Sequence, residues 1–428
     1  MIPEFFKKYN FERLFQQLKI KYKTYGKVTG KIKIENLDKT EVIAFEEIGV
    51  FFNEGDTIIY NTKELKKFLD ESIYSGITLE ELLFEYFNNE FKTNFEIKEK
   101  FILNKENYFK EILDEFKNTK AYNYLEAICL KKESIYKTIT LRYNENKENL
   151  RKELLLIGNA LNNLPIFKNQ ELQNITIYSE KITGDPHYFD ETDRHFKLLY
   201  EGIKFILNIK TDNDTVIEKN KILYKVGLTK ESLLNNITIY GFNGINKKDK
   251  ENKIFNASIT EKEFLTISLN HLNSLKTIKS VSPKIYIFEN PSVFSYIFEY
   301  FKSKNNKIPT LICTAGQLNF ATYLFLDKLE RMDINNEKIE IYYSGDIDPE
   351  GLLIANNLIN NYKNIKLFGY NKEIYLNHLS GKKISNERLK KLNKLDKIDN
   401  ELIKCLNEKK EIAFQEKFID ELIEFIEN

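Results

Sequence analysis

The stretch Ile341-Tyr342-Tyr343-Ser344-Gly345-Asp346-Ile347-Asp348-Pro349-Glu350-Gly351 constrains the fold more than any other. A β-branched and aromatic run ends abruptly in two carboxylates, and a proline then opens a helix. That order reads as a strand buried on both faces, a tight turn and a helix N-terminus. Upstream, Lys284-Ile285-Tyr286-Ile287-Phe288 ends the same way, in Glu289-Asn290-Pro291 and an amphipathic segment through Lys302. Between them lie an apolar run over 308–314, then Ala315-Gly316 and an expected helix over 317–331; residues 364–368 supply a fourth strand. Strands alternating with helices predict βαβ units and a parallel sheet. Ligands of such sheets bind outside the carboxyl ends of the strands, where Glu289, Asp346 and Asp348 all fall.

A chain of 428 residues exceeds one ordinary core, so more than one domain is expected. The polar, glycine-containing segment 241–253 is the expected linker. It divides an N-terminal α+β region, 1–250, from a C-terminal α/β domain with a helical tail, 251–428. Lys and Arg number 65 against 64 Asp and Glu, so no global basicity marks a nucleic-acid binder and any such site is a local patch. Cys129, Cys313 and Cys405 lack CxxC or CxxH spacing, which argues against structural zinc and a disulfide framework and fits a reducing cytoplasm. The N-terminus lacks the order of a signal peptide, and no run reaches the roughly 18 apolar residues of a membrane span. A soluble, cytoplasmic protein with no membrane partner is expected.

In the N-terminal half, Phe11, Leu14, Phe15, Leu18 and Tyr22 recur at helical spacing. Gly26-Lys27-Val28-Thr29-Gly30 opens a glycine-punctuated strand to Ile34, residues 57–60 give another, and helices follow over 62–72 and 78–87. Thr78-Leu79-Glu80-Glu81 carries the capping-box pattern. Residues 108–164 read as helical, interrupted at Asn144-Glu145-Asn146-Lys147 and stopped by Pro165. Thr183-Gly184-Asp185-Pro186-His187 is a tight turn, either structural or a ligand site. His187, His195, His271 and His378 show no ligand spacing, so no histidine metal site is expected. The lysine-rich segment 381–410, including Lys382, Lys383 and Lys390, is either a solvated face or a phosphate-contacting patch. A final amphipathic helix over 411–423 carries Glu416.

In an extended chain Asp346 and Asp348 point the same way. With Glu289 they make three carboxylates at one sheet edge, which repel unless a cation neutralises them. Oxygen-only ligands select Mg²⁺ or Mn²⁺, and such an ion suits phosphoryl transfer. A competing reading is helix capping: Asp348 as N-cap, Pro349 at the first helical position and Glu350 favoured by the dipole, with Asn290-Pro291 read likewise. Capping leaves Glu289 and Asp346 unexplained, and both readings stay open at this point.

A Glu after one strand and Asp-x-Asp after a later one resembles the Toprim domain of topoisomerases, primases and related nucleases. Phe288-Glu289-Asn290-Pro291, Cys313-Thr314-Ala315-Gly316-Gln317 and Gly345-Asp346-Ile347-Asp348-Pro349-Glu350-Gly351 together resemble the C-terminal domain of the JetD family, the nuclease subunits of Wadjet plasmid-defence systems. The glycine-rich passage at 26–30 and the Thr183–His187 turn resemble N-terminal passages of one Wadjet branch.

The resemblance implies a Toprim-like catalytic domain and a metal-dependent endonuclease. It would cut circular double-stranded plasmid DNA by hydrolysis when recruited by an SMC-kleisin-type ATPase complex. Glu289, Asp346 and Asp348 would be the catalytic, Mg²⁺- or Mn²⁺-binding acids, with Glu416 an additional one, and Gln317 would contact the DNA backbone. A symmetric homodimer would place one site on each strand of a duplex. The chain has no GxxxxGK[ST] loop, consistent with the ATPase lying elsewhere. Ala315 stands where the family pattern often has serine. Two rivals are kept: a catalytically silent DNA- or partner-binding Toprim-fold subunit, and an aspartate-based phosphotransferase, a class that usually has Asp-x-Asp-x-Thr or Val where this chain has Asp346-Ile347-Asp348-Pro349-Glu350.

Overall fold

Burial of both strand faces decides the architecture of the C-terminal half. Four residues of Lys284–Phe288 and all of Thr310–Cys313 are buried, a pattern that only central strands covered on both sides sustain. In a computed structural model, residues 2–133, 135–211, 215–304, 307–329 and 338–428 are described. Two units emerge, one of Met1–Asn118 with Leu125–Arg151 and one of Thr119–Tyr124 with Lys152–Asn428.

The second unit holds a six-stranded sheet. Its strands are β1 (Asn236–Tyr240), β2 (Leu265–Ser268), β3 (Lys284–Phe288), β4 (Thr310–Cys313), β5 (Glu340–Ser344) and β6 (Ile365–Leu367). Their spatial order is β6-β5-β3-β4-β1-β2. The four strands from β6 to β4 run parallel, while β1 is antiparallel to β4 and β2 to β1. The fold is thus mixed α/β with a mostly parallel sheet, as the strand grammar predicts for its centre. Phe288 stands opposite Cys313 on one side and Ser344 on the other. The turns after β3, β4 and β5 therefore leave the sheet level with one another. Helices α1 (Pro291–Ser303), α2 (Phe320–Lys328) and α3 (Pro349–Asn361) follow these turns, and α4 (Ile419–Glu427) closes the chain. Asn290, Asn319 and Asp348 cap the first three, so each helix start is fixed by the residue type at its entrance.

Several expectations need correction. Segment 241–253 is not a linker: Phe242–Asn246 pairs antiparallel with Leu275–Ser280, and Gly241, at φ +83°, lies so close to Thr310 that a Cβ would meet its Oγ1 at 2.8 Å. The polarity belongs to a turn that the Asn246 side chain organises by accepting from the Lys248 and Lys250 amides. The helix expected over 317–331 starts at Phe320, where Asn319 accepts from the Thr322 amide, and Arg331 lies outside the described residues. The final helix starts at Ile419, not 411. Residues 411–413 run extended, with bridges Lys383↔Glu411 and Ile347↔Ala413, and a 3₁₀ turn, Gln415–Phe418, follows.

The first unit is helical around one two-stranded antiparallel ribbon, Lys31–Ile34 with Ile58–Asn61. The glycine-punctuated strand is therefore shorter than expected: Gly26, at φ +71°, ends helix Glu12–Tyr25. The capping box at Thr78 forms, as do others at Asp38 and Thr93. The expected helical region over 108–164 comprises the end of Asn94–Asp114, then Tyr122–Cys129, Tyr136–Glu145 and Lys147–Asn162. Extended backbone at Asn146 makes the break. Among the described residues no helix is long and apolar enough to cross a membrane, and the three cysteines are buried and free.

Candidate functional site

The level strand ends bring Glu289 beside Gly345 and Asp346. The Glu289 N–H donates to the Ser344 carbonyl at 3.0 Å, and the Gly316 N–H donates to the Glu289 carbonyl at 2.9 Å, so the turns after β3, β4 and β5 are bonded into one floor. Gly345 is a glycine for a steric reason. A Cβ there would stand 2.3 Å from Glu289 Oε2 and 2.8 Å from the Tyr370 hydroxyl. The Glu289 carboxyl occupies the space a side chain would fill.

Electrostatics separates the acids. Burial, then the charges of Asp346 and Asp348, push Glu289 up to about 7. Burial also pushes Asp346 up to about 6; Asp348 and Glu416 add to the shift, and the Gln415 N–H, donating at 2.8 Å, opposes it. Neither carboxyl has a cation partner among the described residues. Asp348 differs, since one oxygen accepts from the Gly351 N–H at 2.7 Å and the other pairs with Arg388. Glu350 pairs with Arg388 and with Lys391, the latter at 2.7 Å. Burial works against its ionised form, yet these cations prevail and hold it down to about 2.

The structure thus brings Glu289, Asp346 and Asp348 within mutual electrostatic influence, while giving Asp348 the capping role and an arginine. Glu416 sits in the 3₁₀ turn and accepts from Asn290 Nδ2 at 2.5 Å and Ser292 Oγ at 2.8 Å, at the start of α1. Among the described residues no three His, Cys, Asp or Glu side chains are arranged to hold an ion. Gln317 is exposed on the turn after β4, where Ala315 and Gly316 both have positive φ, +54° and +92°. Lys383 is paired with Glu411 at 2.5 Å and Lys382 stands over the Phe414 ring, whereas Lys390 is exposed. The Thr183–His187 turn is held internally. Ser179 Oγ and Thr183 Oγ1 donate to the Asp185 carbonyl at 2.6 and 3.0 Å, and Asp185 Oδ1 accepts from the His187 N–H at 2.8 Å.

Sequence reasoning misses four neighbours of the acids: Tyr343, Tyr370, Arg388 and Gln415. The Tyr343 hydroxyl donates to Glu289 Oε2 at 3.5 Å, and the Tyr370 ring lies parallel to that of Tyr343, 6.3 Å away. Burial raises both phenols well above their ordinary value. Tyr370 Oη, Ser344 Oγ and Gln415 Nε2 are buried with no hydrogen-bond partner among the described residues, an uncommon state for polar atoms. Position 343 lies in the strand motif itself, so its alternation with Tyr342 was an available signal; the others reach the site from distant sequence.

Residues 28–244 match the family described as "Protein of unknown function N-terminus (DUF3323)", and residues 265–426 match "Protein of unknown function C-terminus (DUF2399)". The second match runs from β2 into α4 and contains every acid of the site. The first ends within the strand Phe242–Asn246, inside the second unit. No curated protein matches the chain.

Proposed function

The chain belongs to the DUF3323 family, and from that premise we propose that it is a Mg²⁺- or Mn²⁺-dependent DNA endonuclease subunit with a Toprim-like catalytic domain. The pairing of DUF3323 with DUF2399 is the one found in JetD-like proteins, which supports carrying over the expected context. The substrate is then circular plasmid DNA, the partner an SMC-kleisin-type ATPase complex, and the assembly a homodimer in the cytoplasm. The observation that carries the reading is the pair Glu289 and Asp346, two part-buried carboxyls at neighbouring parallel strand ends with no cation partner among the described residues.

That pair fits a divalent cation. Both groups offer hard oxygen donors, and without a cation both hold protons at unusually high pH, so a metal would displace protons rather than break ion pairs. Glu289 and Asp346 would hold it, with Asp348 and Glu416 as further acids. A bound Mg²⁺ or Mn²⁺ supplies Lewis-acid polarisation of a phosphate oxygen and lowers the pKa of water. The chain's own contribution is placement. Tyr343 and the absent side chain of Gly345 fix the Glu289 carboxyl, the Gln415 N–H fixes that of Asp346, and Arg388 pairs with Asp348.

Supercoiled plasmid incubated with the chain in Mg²⁺ or Mn²⁺, alone and with the SMC-type complex and ATP, tests this. Linear product from the parent, and at least a 100-fold slower reaction from Glu289→Gln and Asp346→Asn, is expected. Undiminished cutting by both variants would remove the site. The alternative, a catalytically silent DNA- or partner-binding subunit, is favoured by the Arg388–Asp348 pair, which occupies the third acid. It expects DNA binding indifferent to divalent metal and to both substitutions.

A further inference from the structure

Beside the acids lies a cleft of about 220 Å³. Leu318, Leu353 and Ile354 give it apolar walls, Gln317 and Asn357 stand at it with their amides, and the Lys391–Glu350 pair forms one side. Both amide residues are exposed, and neither side-chain amide is hydrogen-bonded to another described residue. Each therefore presents a free donor and a free acceptor beside an apolar slot. The volume falls below the roughly 300–1,000 Å³ of sites for drug-sized ligands, which limits the occupant to a single small ring system.

We infer that this cleft is a nucleobase subsite, holding the base of the nucleotide whose phosphate lies at Glu289 and Asp346. The inference rests on the nuclease reading for the position of that phosphate. Continuity of the two sites supports it. Gln317 directly follows Gly316, whose N–H is bonded to the Glu289 carbonyl, and Glu350 follows Asp348 by two residues in the first turn of α3. The turns after β4 and β5 thus line the acids on one side and the cleft on the other. A base matches the cleft's chemistry: apolar faces for Leu318, Leu353 and Ile354, and an edge of alternating donors and acceptors of the kind that Gln and Asn amides read. Access to the cleft requires an unstacked base, so the substrate would be distorted or single-stranded at the site of cutting.

The probe is 2-aminopurine 2′-deoxyriboside 5′-monophosphate, titrated by fluorescence onto the full chain in Mn²⁺, with Mn²⁺ and inorganic phosphate binding measured separately by calorimetry. Leu353→Trp fills the cleft and Asn357→Leu removes one amide at an exposed position that tolerates change. Both are expected to weaken the nucleotide at least tenfold while leaving Mn²⁺ and phosphate binding unchanged. Equal nucleotide affinity in the parent and both variants, or no saturable binding by the parent in the millimolar range, overturns the inference. If the parent binds the nucleotide through the cleft but binds no Mn²⁺, the metal reading fails and the subsite stands. If Mn²⁺ binds and nucleotide affinity ignores the cleft, the subsite fails alone.

Discussion

Asp346 and Glu350 lie four residues apart on either side of one turn, yet their surroundings are opposite. With Glu289, Asp346 forms a pair whose carboxyls are raised to about 7 and about 6 by burial and by the charges of neighbouring acids. With Asp348, Glu350 forms a pair tied to Arg388, and Lys391 helps hold Glu350 down to about 2. The cations of 388–391 reach the second pair only. One pair is built into the fold as structure, and the other is left with unspent charge. That difference singles out Glu289 and Asp346 more firmly than their place at strand ends does.

The sharpest way to break the contrast is to displace Glu289 without changing its charge. A Cβ at position 345 would stand 2.3 Å from Glu289 Oε2, so Gly345→Ala must push the carboxyl out of place. A displacement of about 1 Å can cost about 100-fold in rate, and overpacking costs about 1–3 kcal/mol of stability. Plasmid cleavage and thermal melting read both. Full cleavage by a folded Gly345→Ala protein would show that the position of Glu289 is irrelevant to the reaction.

The two pairs also predict opposite pH dependences. Glu289 and Asp346 have folded values above their ordinary 4.5 and 3.8. The folded chain therefore binds more protons than the unfolded one between about 4 and 7, and stability falls as pH rises through that window. The loss is on the order of 5 kcal/mol, counting each displaced unit at about 1.4 kcal/mol and allowing for the coupling of the pair. Mn²⁺ should flatten this slope, as should Glu289→Gln. Glu350 has the reverse sign: its stabilisation is complete above its ordinary value and is lost as pH falls toward about 2. Melting temperatures from pH 3 to pH 8, with and without Mn²⁺, separate the two. A metal-free profile that is flat from pH 5 to pH 8 would contradict the uncompensated pair.

Removing the shared cation turns the structural pair into a copy of the other. Arg388→Ala leaves Asp348 buried with its Gly351 N–H and no counter-charge, a type of loss that costs about 3–5 kcal/mol when complete. Because the guanidinium is about one-third exposed, water offsets part of this, and about 1–2 kcal/mol is expected in urea denaturation.

What was legible in the sequence is what short-range chemistry determines. The buried runs at 284–288 and 341–344, the caps at Asn290 and Asp348, and the capping box at Thr78 each depend on residues within one turn of chain. What was not legible comes from distant segments. Arg388 meets Asp348 across 40 residues, Gln415 meets Asp346 across 69, and Tyr370 reaches Gly345 from beyond β6. The segment 241–253 misled because a polar turn between a strand and a helix has the composition of a linker. The amphipathic pattern around Glu416 reads as one helix from 411, but the bridge from Ala413 to Ile347 holds residues 411–413 extended, and Glu416 lies in the 3₁₀ turn that follows. For Asp348 the structure gives the helix cap, a role that neither Glu289 nor Asp346 has.

The smallest effect concerns how the cations are divided. Lys391 is 44% exposed, and an exposed lysine pair contributes about 0.2–1 kcal/mol, so Lys391→Ala should cost less than Arg388→Ala and lose its effect in high salt. A double-mutant cycle with Glu350→Gln reads the coupling directly. A coupling for Lys391 near that for Arg388 would mean that a flexible surface lysine, not the arginine fork, fixes Glu350. Arg388 would then be free to follow Asp348 alone, and the two acid pairs would differ in one contact rather than in a shared network.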